Sequence, residues 1–128
     1  TILRSPLDLA ISLYYYEKKI GVDRGLELEE FLLMLNNYMT NRFPCNEENF
    51  KEILDQYFFI GITESSQKSF DILAKMIGKR KIKLPRVNLS TREKDIRDLP
   101  KNVIDKFRER NALDYQVYEY ALERFNQY

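Results

Sequence analysis

The chain has no histidine. His-containing zinc sites are therefore excluded within its 128 residues, as is any nucleophile that depends on a Ser–His or Cys–His pair. It has a single cysteine, so no disulfide closes within the chain. Cys45 reads as a small buried hydrophobe, with pairing to a segment outside these residues as the alternative. No apolar run approaches the length of a membrane span, and no signal peptide is visible. Charge of one sign is lacking too: 21 Lys and Arg stand against 20 acids, a net +1. A general nucleic-acid binder would show a basic surplus. The expectation is of no nucleic-acid partner and no membrane contact within these residues. Internal repeats and low-complexity tracts are also missing.

What is present suits one domain or a piece of one, since a 44% hydrophobic share is enough for a core. The first residue is not Met and the opening residues read as a strand, so the chain is expected to be the C-terminal part of a longer protein.

Alternation and apolar spacing divide the chain. A helix is expected from about Pro6 to Ile20, followed by the loop Gly21 to Gly25. A second spans Leu26 to Met39, with Phe31, Leu32, Leu35 and Tyr38 as its apolar stripe. A third, capped by Asn46, runs to Gln56. Tyr57 to Ile62 is the clearest strand, short and continuously apolar, as when both faces are covered. Thr63 then caps a helix to Ile77, with Phe70, Leu73 and Ile77 on one face and Gly78 as its stop. The basic run Lys79 to Lys83 reads as a solvated helix end, or as attraction for a sulfated sugar chain. Pro85 to Asp98 is loop-like. Helices from Pro100 to Arg110 and Ala112 to Gln127 close the chain, the last with Val117, Tyr118, Ala121, Leu122 and Phe125 as a core stripe. Thr1 to Leu3 and Tyr57 to Ile62 are expected in one parallel sheet flanked by helices.

The opening residues carry the chemistry. Arg4 ends the strand Thr1 to Leu3; Ser5 is placed to cap the helix, Pro6 sits where a missing N–H costs nothing, and Asp8 completes a capping-box pattern. Ser12 follows Ser5 by seven residues and so returns to the same helix face two turns on. Arg4 and Ser12 can then converge on one anion near a helix N-terminus that already favours negative charge. The alternative is an ordinary capped helix preceded by an exposed Arg. Of Tyr14, Tyr15 and Tyr16, some belong to the core and one could stack on a sugar or adenine.

This stretch resembles the 3′-phosphate motif of sulfotransferases that use 3′-phosphoadenosine 5′-phosphosulfate (PAPS): Leu-Arg-Asp-Pro, then a helix bearing Ser and aromatics. Leu3, Arg4, Pro6, Ser12 and the three tyrosines match; Ser5 stands where an acid is usual, and Leu9 where a basic residue often appears. Ile60, Gly61, Thr63 and Glu64 resemble a later strand-to-helix segment of Golgi carbohydrate sulfotransferases. Asn111, Asp114, Tyr118, Glu119, Tyr120, Ala121 and Phe125 resemble their closing helix. With the pieces in the family's order, the chain is similar to the heparan sulfate 2-O-sulfotransferase type and its bacterial counterparts.

The resemblance implies an α/β fold, the helix-rich C-terminal part of a P-loop nucleotide-binding, sulfotransferase-like domain with a parallel sheet. Residues 1–128 would be one portion of that single domain, lacking the upstream 5′-phosphosulfate loop and the catalytic base. Arg4 and Ser12 would hold the 3′-phosphate of PAPS. The loop Arg86 to Lys94 would close over the nucleotide, with Asn88, Ser90 and Thr91 as neutral donors and Arg92 and Lys94 as charges; a solvated surface loop is the alternative. The sequon Asn88-Leu89-Ser90 is discounted, since a glycan there would obstruct such a lid. The implied activity is sulfuryl transfer to a carbohydrate hydroxyl, with the nucleotide and the carbohydrate as partners and no metal. The compartment would be the Golgi lumen for a eukaryotic parent and the cytoplasm for a bacterial one. The rival is a non-catalytic helical interaction module on a degenerate sulfotransferase scaffold, which the Ser5 and Leu9 departures favour.

Overall fold

A computed structural model describes residues 1–85 and 92–128. The protein is mixed α/β and mostly helical, with one small parallel sheet of two strands. Strand β1 (Ile2–Leu3) pairs with β2 (Gly61–Ile62), Ile2 opposite Gly61 and Leu3 opposite Ile62. The two segments expected to share a parallel sheet therefore do so, but over a shorter length. The Thr1 main-chain nitrogen donates to the Phe59 carbonyl at 2.9 Å, while Phe58 stands out to solvent at 65% exposure. The bonds of Thr1 to Phe59 and Gly61 carry the pairing back to Ile60, and Tyr57 and Phe58 lie outside it.

Among the described residues there are six α-helices: α1 (Pro6–Lys19), α2 (Leu28–Met34), α3 (Phe50–Asp55), α4 (Ser66–Met76), α5 (Lys101–Arg110) and α6 (Ala112–Asn126). Apolar side chains of α1, α2 and α5, among them Ile11, Phe31 and Phe107, form one core cluster. Leu3, Ile60 and Ile62 form a second with α3 and α6, where Val117, Ala121 and Phe125 are buried as their spacing predicts. The N-terminal helix touches α2, α5 and α6 and so spans both.

Gly61 is where strand meets helix most closely. A Cβ there would lie 3.0 Å from both the Phe59 ring and the Ser69 Cβ. That approach lets the buried Ser69 hydroxyl donate to the Ile62 carbonyl and accept from the Ile62 N–H, each at 2.9 Å, sealing the open edge of β2. The inward face of α4 is accordingly Ser69, Ala74 and, in part, Ile72; Ile77, expected inward, is 51% exposed.

The expected helix from Leu26 to Met39 is the largest departure. It stops at Met34: Leu35 is extended and Asn37 takes a left-handed φ of 48°, which Asn tolerates better than most residues. A 3-10 turn, Thr40–Arg42, follows. The cause is tertiary. The buried Asn111 amide donates to the Leu35 carbonyl and accepts from Asn37 N–H at 2.7 Å. The buried Asp114 carboxylate accepts from Met39 N–H, Thr40 N–H and the Thr40 hydroxyl at 3.0, 2.8 and 2.8 Å. Bonds from the start of α6 outweigh helix propensity in residues 35–39.

Removing the Asp114 acceptor should be costly, since it orphans the buried Met39 and Thr40 N–H groups and leaves the Thr40 hydroxyl only its 3.3 Å bond to the Asn37 carbonyl. Asp114→Ala is expected to lose about 3 kcal/mol of stability or more. Urea denaturation checks this; a loss under about 1 kcal/mol would mean that water replaces the carboxylate.

Candidate functional site

Parallel strands direct their C-terminal ends to one side, and both strands here end at the same place. Arg4 follows Leu3 and Thr63 follows Ile62, and both residues line a cleft of about 660 Å³. Ser12 lines it from the second turn of α1. The two residues expected to converge are therefore brought to one cleft. On α1, Leu9, Leu13 and Tyr16 belong to the face that floors it. The opposite wall comes from the loop that Asn111 and Asp114 hold, which presents Tyr38 and Arg42. The Arg42 guanidinium lies over the Tyr38 ring, 4.5 Å from its centroid, and donates to its hydroxyl. Among the described residues, Arg4 and Arg42 charge the cleft and no acid lines it.

Behind Arg4 lies an ionic network. The neighbouring face of α1 carries Asp8, Ser12 and Tyr15, spaced one helical stripe apart, and residues 92–95 lie across it. Asp8 accepts from Arg4 on one oxygen and from Arg92 on the other, the latter at 2.8 Å. Arg92 also donates to the Ser12 hydroxyl oxygen at 2.6 Å and reaches Asp95 at 3.4 Å, while Lys94 N–H donates to the Tyr15 hydroxyl at 2.9 Å. Ser12 thus accepts from Arg92, and among the described residues no acceptor for its own O–H is found. Burial pushes the Asp8 carboxyl up, but the hydrogen bonds from Arg92 and Arg4 outweigh it and hold the group below the ordinary carboxylate value. Asp8 therefore stabilises the fold above its ordinary value of 3.8, and that contribution is lost as pH falls through the lowered one.

A second cleft, of about 520 Å³, lies on the far side of Arg4. It is lined by Arg4, Arg92 and Arg97 but by five carboxylates, including Glu64 and Asp98, so it is not an anion site. Glu64 accepts from the Ser5 N–H at 2.7 Å and from the Tyr118 hydroxyl at 3.1 Å. A carboxylate of the chain itself therefore meets the start of α1. The expected capping roles differ accordingly: the Ser5 side chain makes no cap bond, and Asp8 turns to the arginines instead of completing a capping box.

Asn88, Ser90 and Thr91 lie outside the described residues. Of the tyrosine triplet, Tyr14 is buried and donates to the Leu26 carbonyl, Tyr15 is half-buried, and Tyr16 is exposed on the cleft. Arg42 was not among the expected site residues, and Tyr38 was read as core. The four-residue step between them, beside the polar Asn36, Asn37 and Asn41, is the only signal in the sequence. Cys45 is free and half-buried, and burial, then the Asp114 charge, push its thiol up. Among the described residues no group of Cys, Asp and Glu is placed to hold a metal ion, and no helix is long and apolar enough to cross a membrane.

Comparison with protein-family models, with curated proteins and with solved structures finds no match to this chain.

Tyr118 offers a spectroscopic reading of the network. Burial, then the Glu64 charge and hydrogen bond, push its hydroxyl up to about 12 from an ordinary value of 10.0. Its neutral form therefore supports the fold fully below pH 10 and ceases to as pH rises through about 12. Tyrosinate absorbance should show one late-ionising class, and Glu64→Gln should return it part of the way, burial remaining. An unchanged titration in Glu64→Gln would place Tyr118 away from Glu64.

Proposed function

We propose that this chain is the C-terminal portion of a single P-loop-like sulfotransferase domain and supplies its 3′-phosphate site. The activity is transfer of a sulfuryl group from PAPS to a carbohydrate hydroxyl, with the 5′-phosphosulfate loop and the catalytic base upstream. The observation that carries this reading is that Arg4 and Ser12 open on one acid-free cleft at the C-terminal ends of two parallel strands. Ligands of parallel α/β sheets bind at such ends. A volume of about 660 Å³ suits a small molecule, the usual range being roughly 300–1,000 Å³. Arg42 adds a second cation, and Tyr16 and Tyr38 add aromatic surface for a flat base.

PAPS would supply the transferable sulfuryl group and the leaving phosphate. The residues of this chain bind and orient. Arg4 offers a charge-assisted, planar donor pair to a phosphate. The hydroxyl of Ser12, which accepts from Arg92 on one lone pair, can offer its O–H as a donor. Fixing the nucleotide in register is a large part of catalysis in group transfers of this charge type.

A second reading, a non-catalytic helical module on a degenerate sulfotransferase scaffold, draws on one observation. Asp8 already answers Arg4 and Arg92, and Glu64 already meets the start of α1. In a binding module these would be the final partners.

Nucleotide titration separates the readings. With adenosine 3′,5′-bisphosphate and the parent protein, Arg4→Ala should weaken binding by about 2 kcal/mol, roughly thirtyfold, because a desolvated charge partner is lost while water still reaches the site. Ser12→Ala should cost about 1 kcal/mol. Both losses should shrink sharply with adenosine 5′-monophosphate, which lacks the 3′-phosphate. Equal losses for the two nucleotides, or no binding of either by the wild type, would favour the module.

A further inference from the structure

At the C-terminus of α4 stand five cations, Lys75, Lys79, Arg80, Lys81 and Lys83, with no acid between residues 75 and 83. Every residue of that span is exposed. So are two large aliphatic side chains within it, Ile77 at 51% and Ile82 at 58%. The span is not a loose tail. Gly78, at a φ of 67°, reverses the chain, with Lys79 N–H donating to the Ala74 carbonyl at 2.8 Å and Gly78 N–H to that of Lys75 at 3.2 Å. It then runs back along α4. Lys81 comes within 3.9 Å of Asp71, and the Gln67 amide donates to the Ile82 carbonyl at 2.8 Å and accepts from Leu84 N–H at 2.9 Å. Asp71 is the one carboxylate that faces these cations among the described ion pairs, so the patch keeps most of its positive charge.

We infer that this reversed segment docks on an anionic lipid surface. Charge alone would fit any polyanion. The isoleucines decide between them: a soluble polyanion leaves Ile77 and Ile82 in water, whereas the headgroup boundary of a bilayer takes cations and aliphatic side chains together. Basic clusters of this size suit anionic headgroups, each cation adding a similar increment. The contact is peripheral, with no helix crossing the bilayer. It departs from the expectation of no membrane contact, which rested on the lack of a span-length apolar run and of a signal peptide. The inference is independent of the nucleotide reading, since none of these residues lines the cleft.

Co-sedimentation with phosphatidylcholine vesicles, with and without phosphatidylserine, tests it. The wild type should partition onto phosphatidylserine-containing vesicles only, and rising salt should release it. The double variant Lys79→Ala/Lys81→Ala should weaken partitioning roughly thirtyfold. Ile82→Ser should weaken it by about tenfold at the same charge. All three positions are exposed, so an unchanged thermal midpoint verifies that the variants fold. Absence of binding, equal binding to both vesicle types, or an Ile77→Ser/Ile82→Ser double variant that binds like wild type would each overturn the inference. The last result would leave only a site for soluble polyanions.

Discussion

The carboxylate of Asp114 holds the last helix to the least regular part of the chain. It is 3% exposed and accepts from Met39 N–H, Thr40 N–H and the Thr40 hydroxyl, donors 74 or 75 residues away in sequence. A buried carboxylate without such partners is costly, so α6 and the turn at residues 37–42 constrain each other. Asn111, one helical turn earlier, fixes the two residues in which α2 unwinds. Met39 and Thr40 are drawn inside by this, and Tyr38 and Arg42 are left on the outer side, facing the end of β1. One wall of the cleft exists because two polar side chains at the start of α6 need partners.

The other wall is set by charge. Arg4 and Arg92 would repel each other if left alone at the Ser12 face of α1. Asp8 lies between them and makes the arrangement stable without an external ion. A phosphate bound as proposed would therefore not meet a bare dication; it would compete with, or add to, an internal carboxylate. The cost falls mainly on Arg4, which lines both clefts and is hydrogen-bonded to Asp8 on the acidic side. Among the described residues Arg42 has no such carboxylate, its partners being the ring and hydroxyl of Tyr38. The cleft thus holds one arginine balanced by a carboxylate from behind and one that only an aromatic side chain engages.

Helix geometry let the sequence place Arg4 and Ser12 on one side of α1, and both line one cleft. The pairing of the two apolar segments was legible for a similar reason, both being short, apolar and followed by helices. The length of the second strand was not, since Phe58 is as apolar as its neighbours and yet points outward. The end of α2 was hidden because its cause lies in Asn111 and Asp114, far along the sequence. The face of α4 was misjudged by size: the small Ser69 and Ala74 face inward because Gly61 lets the strand come close, and larger residues would not fit. Arg92 was legible as a charge in a loop but not as the partner of Asp8 and Ser12. A contact across about 80 residues leaves no periodicity to read.

These features decide what kind of anion site the cleft can be. Phosphate sites on glycine-rich turns and helix starts rely on backbone N–H groups and the helix dipole. Here the Ser5 N–H is taken by Glu64, and Pro6 has none to give. On the proposed reading the binding then falls mainly to side chains, two guanidiniums and a hydroxyl that a third orients. Guanidinium groups recognise a terminal phosphate or sulfate by planar, paired donors, whereas a helix start accepts almost any small anion. If the cleft binds as proposed, selectivity for a doubly charged terminal group follows from that difference, and with it sensitivity to salt, because the cations stand at an open cleft. On the proposed reading the same geometry makes the Ser5 departure from the sulfotransferase pattern tolerable. An acid at that position would have met the helix start, and Glu64 reaches it from the 3-10 turn that follows β2.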